Sequence, residues 1–405
     1  MSRIARCSIL CLALAVAPAL ASVPPETAVT PRPVVTIPFE LINRHIYIPV
    51  RVNGSRPLSF VLDTGASVGM IDLDLAKELG LRLEGEVGIG GAGAIRRTGA
   101  FVRDASWTLA GLDGFSQPVK IAAPLAQLAP FSGRDFDGIL GGDFIQEFVV
   151  EVDYAARELR FHDRKGFVYR GPGTGIPIVR QHGHPILEAE VTPVGGAPIE
   201  GKFVVDIGAS SPLSLHSPFV KEHALRNARV PTIRTMGAGG AGGAVSGRTG
   251  RVAALKIGPY TLKSPLAIFT QDEKGAFASP RIQGNIGQPL ISRFRIFLDY
   301  ERDRIIFEPT PGFEAPFDRA FSGVAFEALG KDYEKIRVRD VLEDSPASEA
   351  GIRVDDVVTA VDDRTASEIS LSDLLEMLEK PIARRLTIRR GNETRTVVLT
   401  PRRLV

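Results

Sequence analysis

From residue 37 onward the chain alternates apolar and polar positions. Ile46, Ile48, Val50 and Val52 fall on one face of an extended run, and Tyr47, Pro49 and Arg51 on the other. That period of two predicts hairpin strands, and Pro49 favours an edge position because it has no N–H to give a neighbour. The run continues into Phe60-Val61-Leu62-Asp63-Thr64-Gly65-Ala66-Ser67. Three apolar residues leading into Asp-Thr-Gly read as a buried strand that ends in a tight turn with a carboxylate at its tip. Asp72 to Gly80 follows as a short helix with an Asp cap and a terminal Gly. Short strands broken by turn residues fill most of the rest to Phe161.

The pattern then repeats. Phe203-Val204-Val205-Asp206-Ile207-Gly208-Ala209-Ser210 copies the first strand-turn, with Asp206 lying 143 residues after Asp63. Leu75 to Leu81 answers Phe219 to Leu225 at an offset of 144, and Asp137-Gly-Ile-Leu-Gly141 answers Gln283-Gly-Asn-Ile-Gly287 at 146. Asp153-Tyr154 and Phe161 meet Asp299-Tyr300 and Phe307 at 146 as well. Matches in one order with slowly drifting offsets indicate a duplicated domain, and the period is far too long for a solenoid.

Gly- and Pro-rich stretches mark the joints. Lys165 to Pro177 separates the two copies, and Glu308 to Pro316 closes the second. From Phe317 the composition turns charged and a third unit begins. At the other end, Arg3 and Arg6 precede an apolar run from Ile9 to Val16 and the small-residue pattern Ala19-Leu20-Ala21, the form of a cleavable export signal over residues 1–21. Residues 22–36, rich in Pro and Thr, read as a flexible lead-in.

Composition narrows the classes. With 44% apolar and 24% charged residues in 405, a sizeable core is available. Losing residues 1–21 takes the formal charge from +2 to zero, which gives no electrostatic case for nucleic acid or an anionic membrane surface. Cys7 and Cys11 both lie in that segment, so the exported chain has neither disulfide nor thiol chemistry. The apolar run at the start is too short for a lasting membrane anchor.

Two carboxylates on matching strand-turns are what general acid–base hydrolysis requires, one holding a proton while the other takes one from water. Two Gly-rich stretches, Gly88-Ile-Gly90-Gly91-Ala-Gly93 and Gly237-Ala-Gly239-Gly-Ala-Gly242, match the spacing of a dinucleotide fingerprint. The residues after each alternate and break on Gly as hairpins do, and no helix opens on the last Gly, so a flexible hairpin is the better reading. His182-Gly-His184 has metal-like spacing but no third ligand near it in sequence, which makes it a loop pair. Ser210, Ser211 and Ser214 lack a nucleophile elbow and a histidine partner.

Taken together, these residues resemble the retropepsin-like aspartic proteases. Each lobe of that family carries Asp-Thr/Ser-Gly-Ala, a Gly-rich flap hairpin and an apolar-apolar-Gly strand. Here the first lobe has Asp63, Thr64, Gly65 and Ala66, a flap with Gly88, Gly90 and Gly91, and Ile139-Leu140-Gly141. The second is a weaker copy with Asp206, Gly208 and Ala209, a flap with Gly237 and Gly239, and Asn285-Ile286-Gly287. The resemblance implies an all-β bilobal fold, with lobe 1 over 37–165 and lobe 2 over 170–310. It also implies an active site between the lobes at Asp63 and Asp206, a polypeptide substrate, and neither metal nor organic cofactor. One departure stands out: Ile207 replaces the Thr or Ser whose hydroxyl helps lock the two loops together in the family.

The third unit, 317–405, resembles a bacterial PDZ domain, a small α+β or barrel-like module. Ser345-Pro-Ala-Ser-Glu-Ala-Gly-Ile352 fits the family pattern at every position, while Asp355 stands where a Gly is usual before Asp356. The resemblance makes Gly323, Val324, Ala325 and Phe326 the loop that holds a peptide C-terminal carboxylate on backbone N–H groups. The expected protein is therefore an exported, periplasmic endopeptidase with a peptide-binding domain. The rival is a non-catalytic peptide-binding scaffold with a degenerate second motif, which Ile207 favours.

Overall fold

The computed structural model describes residues 34–112, 114–226, 230–236 and 240–405. The export segment with both cysteines, most of the lead-in, and Gly237 and Gly239 of the second flap lie outside these residues.

Alternation along the chain becomes two curled sheets of ten strands each, built to one plan. In the first, the strand Leu58–Leu62 lies between His45–Val52 and Gly138–Leu140; in the second, Ile199–Asp206 lies between His184–Thr192 and Gly284–Gly287. The order of the other strands is the same in both. Each Asp strand runs parallel to the Gly-x-x-Gly strand beside it, with Leu62 opposite Leu140 and Asp206 opposite Gly287. Both faces of these central strands are covered, so Phe60, Leu62, Phe203 and Val205 are essentially without solvent contact. The short helix Leu73–Glu78 forms as expected, with Asp72 accepting from the N–H groups of Asp74 and Leu75.

A third sheet of six strands joins the lobes, in the order Val35–Pro38, Glu158–His162, Val149–Asp153, Phe294–Asp299, Arg304–Pro309, Thr174–Pro177. The contact between Val149–Asp153 and Phe294–Asp299 is the seam. Two expectations change here. The composition of residues 22–36 predicts a flexible lead-in, but Val35 and Thr36 already pair with Phe161 and Arg160 as the outermost strand of this sheet. The alternation of Val35 and Ile37 lets the chain bury apolar side chains once a sheet is there to receive them. Pro49 is also not on an edge strand, since His45–Val52 has neighbours on both sides. It sits opposite Ser59, and on the other side it falls between the reach of Glu40–Ile42, which ends at Tyr47, and of Ser106–Leu109, which starts at Val50. Its missing N–H is therefore lost where no partner exists.

Residues from Val324 form a separate six-stranded sheet with its own core, including Phe326, Val338, Leu374 and Ile388. Ser345 caps the helix Pro346–Glu349 in a reciprocal box with Ser348. Asp355 adopts φ of 69°, the left-handed conformation that explains why Gly is usual there and which Asp tolerates better than most residues. Among the described residues no helix is long and apolar enough to cross a membrane.

Candidate active site

The two Asp-bearing turns meet at the floor of the cleft between the lobes. Each carboxylate lies against the glycine of the opposite turn: a methyl group on Gly65 would come within 2.6 Å of Asp206 Oδ1, and one on Gly208 within 2.2 Å of Asp63 Oδ1. No other residue fits at either position. The two carboxyl groups are close enough to act directly on each other. Burial pushes Asp63 well above the usual carboxylate range, and the charge of Asp206 adds to this, opposed by the Gly65 N–H that donates to Asp63 Oδ1 at 2.7 Å. Burial raises Asp206 too, but the Asn285 amide, donating to its Oδ2 at 2.8 Å, pulls it back. Two carboxyls this close share one proton between them.

Thr64 ties the loops together. Its buried hydroxyl donates to the Val205 carbonyl at 2.6 Å and accepts the Ile207 N–H at 2.9 Å. One side chain of lobe 1 thus clamps the backbone on both sides of Asp206. Ile207 returns no such bond; its side chain is completely buried in the main core. The turns are fixed by hydrogen bonds from one side and by packing from the other.

Two histidines that sequence reasoning did not assign here stand behind the turns. His184 Nε2 lies 3.1 Å from Ser67 Oγ, and its Nδ1 lies 3.5 Å from the Thr64 carbonyl. His45, at the matching position of lobe 1, lies beside the main chain of Gly208. Each follows a two-residue turn into the first long strand of its lobe, which aims it at the loop of the other lobe. His182 and Gly183 form the turn itself, both with positive φ. Among the described residues no group of three His, Cys, Asp or Glu side chains is arranged to hold a metal. The repeated hairpin turn was the sequence signal for these histidines, but only docking of the lobes shows where they point.

The first flap is the hairpin Arg82–Ile89 with Arg97–Arg103, and Gly88, Gly90 and Gly91 lie at its tip. It meets the described part of the second Gly-rich segment. The Ile95 N–H donates to the Gly242 carbonyl at 2.8 Å and the Arg97 guanidinium to the Ala241 carbonyl at 3.3 Å. Below the tips, Val87, Ile89 and Ala241 share an apolar cluster with Ala66, Val61 and Ile139. That lines one wall of the cleft for apolar side chains. Ala209 lies in the second turn, its N–H donating to the Asp206 carbonyl at 3.2 Å. A cavity of about 750 Å³ opens beside the flap tip, toward Lys274–Ala276, and touches neither aspartate.

In the C-terminal unit, Gly323 precedes the edge strand Val324–Leu329, with Val324 and Phe326 buried and Ala325 half-buried. The free edge of this strand and the helix Leu371–Leu378 frame the expected peptide groove. Lobe 1 already sits against it. The short helix Ala129–Ser132 packs on the strand, and Gly133 stands between the two walls, a methyl there lying 2.8 Å from Leu371 Cβ and 3.7 Å from Ala328 Cβ. Among the described residues no main-chain hydrogen bond joins lobe 1 to the strand edge. Polar contacts hold the unit in place: Arg44 on Glu379, which Arg319 of the unit itself also pairs, Asn43 N–H to Ser372 Oγ at 3.0 Å, and a bidentate Arg234–Asp340 pair at 2.7 and 2.9 Å at the base of the second flap.

Comparison with known families agrees with this architecture. A family model described as aspartyl protease matches residues 48–144 and 189–290, one segment per lobe, and a PDZ domain model matches residues 337–390. No curated protein matches the chain.

Proposed function

From a chain whose two lobes are an aspartyl protease region of retropepsin-like kind and whose C-terminal unit is a PDZ domain, we propose that the protein is an exported aspartic endopeptidase. The observation that carries this reading is the close, buried carboxyl pair, each member against the glycine of the opposite turn, under the meeting flaps. Asp63 and Asp206 flank one water. The ionised carboxyl takes a proton from that water as its oxygen attacks the scissile carbonyl carbon. The protonated carboxyl gives its proton to the carbonyl oxygen, which forms a neutral gem-diol. In the second half the roles reverse: a diol hydroxyl returns its proton to the pair, the amide nitrogen receives the other, and the C–N bond breaks. The glycines at 65 and 208 allow the carboxyls to approach, and the flaps keep bulk water from competing.

Two features support the finer points. The charged, apolar, small-residue order of residues 1–21 supports export to the periplasm. The PDZ unit supports capture of peptide C-termini at Gly323–Phe326, with the groove helix as the second wall. Ile207 favours one alternative, a peptide-binding scaffold with an inert second turn. The bonds from Thr64 to the backbone on both sides of Asp206 weigh against it, since they hold Asp206 in register without a hydroxyl at residue 207.

Digestion of a peptide library by the protein lacking residues 1–21, and by its Asp63→Asn variant, over a range of pH tests the proposal. Internal cleavage that disappears in the variant supports it. Retained peptide binding with no cleavage at any pH replaces it with the scaffold reading.

A further inference from the structure

The two lobes are copies, yet beyond Thr64 and Ile207 the environments of their aspartates differ at a further matched position. In lobe 1 the strand beside Asp63 reads Gly138-Ile139-Leu140-Gly141; in lobe 2 the same strand reads Gly284-Asn285-Ile286-Gly287. Ile139 pairs with Val61 and packs into the apolar wall of the cleft. Asn285 pairs with Val204 and turns its amide to Asp206 Oδ2 at 2.8 Å. Its other end is also occupied: Asn285 Oδ1 lies 3.1 Å from His216 Nε2. Because the Asn285 nitrogen must face a carboxylate, its oxygen faces the imidazole, and His216 is the donor there.

His216 has given up another role to do this. Its counterpart in lobe 1, Asp72, caps the helix Leu73–Glu78 with one oxygen and takes the N–H groups of Leu125 and Ala126 with the other. His216 stands at the N-cap of Ser217–Glu222 and makes no capping bond. It is buried, stacks on Phe277 at 4.6 Å and points away from the helix toward Asn285. A helix start without its cap is a loss of stability. The compensating gain is a neutral donor held at fixed distance behind the active-site amide.

We propose that Asn285, oriented by His216, is the positioning residue that breaks the symmetry of the pair: it holds Asp206 as the ionised partner and leaves the shared proton on Asp63. Asp206 is then the base that takes the proton from water, and Asp63 the acid that gives one to the carbonyl oxygen. The assignment of roles rests on the protease reading; the assignment of the proton does not. An N–H stabilises an ionised carboxylate more than a protonated one; Asp63 has the Gly65 backbone N–H, but a side-chain amide donor is added only at Asp206, and that addition biases the equilibrium. The other titratable groups facing the pair are His184, from the strand His184–Thr192, His45 beside Gly208, and Tyr300 on the Asp63 side. None of them donates to Asp206 as Asn285 does among the described hydrogen bonds.

The test is a carboxyl ¹³C NMR titration of the full chain without residues 1–21, which reads the proton whether or not the protein cleaves anything. The variants are Asn285→Ile, the lobe 1 residue, and His216→Phe, which keeps the ring on Phe277 and removes the donor; Asn285→Ser serves if the Ile variant fails to fold. His184→Gln is the control for the other nearby imidazole. Loss of the amide is expected to raise the apparent titration of Asp206 by about one pH unit and to bring the two steps closer together, with the His216 variant moving the same way by less. In the active enzyme the acid limb of kcat should move up in step, giving about a tenfold lower rate at a fixed pH on that limb with KM little changed. Unmoved titration in both Asn285 variants, or a larger shift in His184→Gln than in Asn285→Ile, overturns the proposal. Normal NMR shifts in a chain with no peptidase activity overturn the protease reading and leave the proton assignment standing.

Discussion

Thr64 accepts the N–H of Ile207 at 2.9 Å, and Ile207 gives nothing back. The clamp between the lobes is one-sided, with a hydroxyl from lobe 1 on the backbone of lobe 2 and only apolar packing in return. Thr64→Val keeps the shape but strands the Ile207 N–H and the Val205 carbonyl in a buried site. A loss of about 1–3 kcal/mol in stability is expected, together with a drop of 10-fold or more in turnover as Asp206 loses its register. Chemical denaturation and peptide cleavage of one preparation measure both.

Ile207→Thr separates the two halves of that argument. It restores the hydroxyl seen in related lobes, so turnover should stay level or rise. It also puts a polar group where an Ile side chain is fully buried, at a cost of about 1–2 kcal/mol. A variant that is both less active and equally stable would contradict both statements.

Removing either carboxyl should lower cleavage by at least about 10²-fold, since acid and base are separate roles. The stability effect has a definite sign. Burial raises Asp63 and Asp206 above the ordinary carboxylate value, so between that value and the raised one the folded protein binds more protons than the unfolded chain. Stability therefore falls as pH rises through the window. Asp63→Asn should melt at a higher temperature than the parent at neutral pH, with the difference closing in acid; a melting series against pH shows it.

Acid works in the opposite direction through histidine. Burial pushes His216 and His45 each down to about 4 from 6.5. The unfolded chain then binds more protons than the fold between those values, so stability is lost as pH falls from about 6.5 toward 4. For the more deeply buried His216 this amounts to about 3 kcal/mol once pH is below both values. The expected consequence is an enzyme with a limited acid range. His216→Phe should flatten the fall of melting temperature below pH 6.

The PDZ groove is covered by residues 129–133 but not paired with them. A peptide ending in a free carboxylate can add main-chain bonds that the covering segment does not make. Residues 317–405, which have their own core, should bind such a peptide more tightly than the full chain does. Glu379→Ala, which frees Arg44 and Arg319, should bring the full chain closer to the isolated unit. Fluorescence anisotropy with acid and amidated forms of one peptide decides this, and equal binding of the amidated form would remove the carboxylate loop from the account.

Much of the architecture is legible along the chain. Alternation predicts the strands, and the self-similarity at 143 to 146 residues predicts two lobes built alike. Asp-Thr-Gly at 63–65 and Asp-Ile-Gly at 206–208 announce carboxylates at strand ends, because a turn of that kind is decided by the few residues within it. The Ser-Pro-Ala pattern of the third unit is local in the same way, as a helix start fixed by its own cap. Even the misjudged Pro49 follows a sound local rule; the strand has neighbours on both sides, and only the staggered ends of those neighbours make room for a residue without an N–H.

What tertiary structure alone decided is everything that crosses between copies. Nothing near Thr64 in sequence indicates that it will hold Val205 and Ile207, and nothing near His216 or Asn285 indicates an aspartate at the end of their chain of hydrogen bonds. A strand position says only which face a side chain takes; whether that face meets core, solvent or an opposing active-site loop depends on how two sheets dock. Periodicity and turn chemistry act over a few residues and so can be read from them. How Asp63 and Asp206 share a proton depends on the balance of burial, charge and hydrogen bonds brought together from both lobes, and that balance exists only once the lobes have closed on each other.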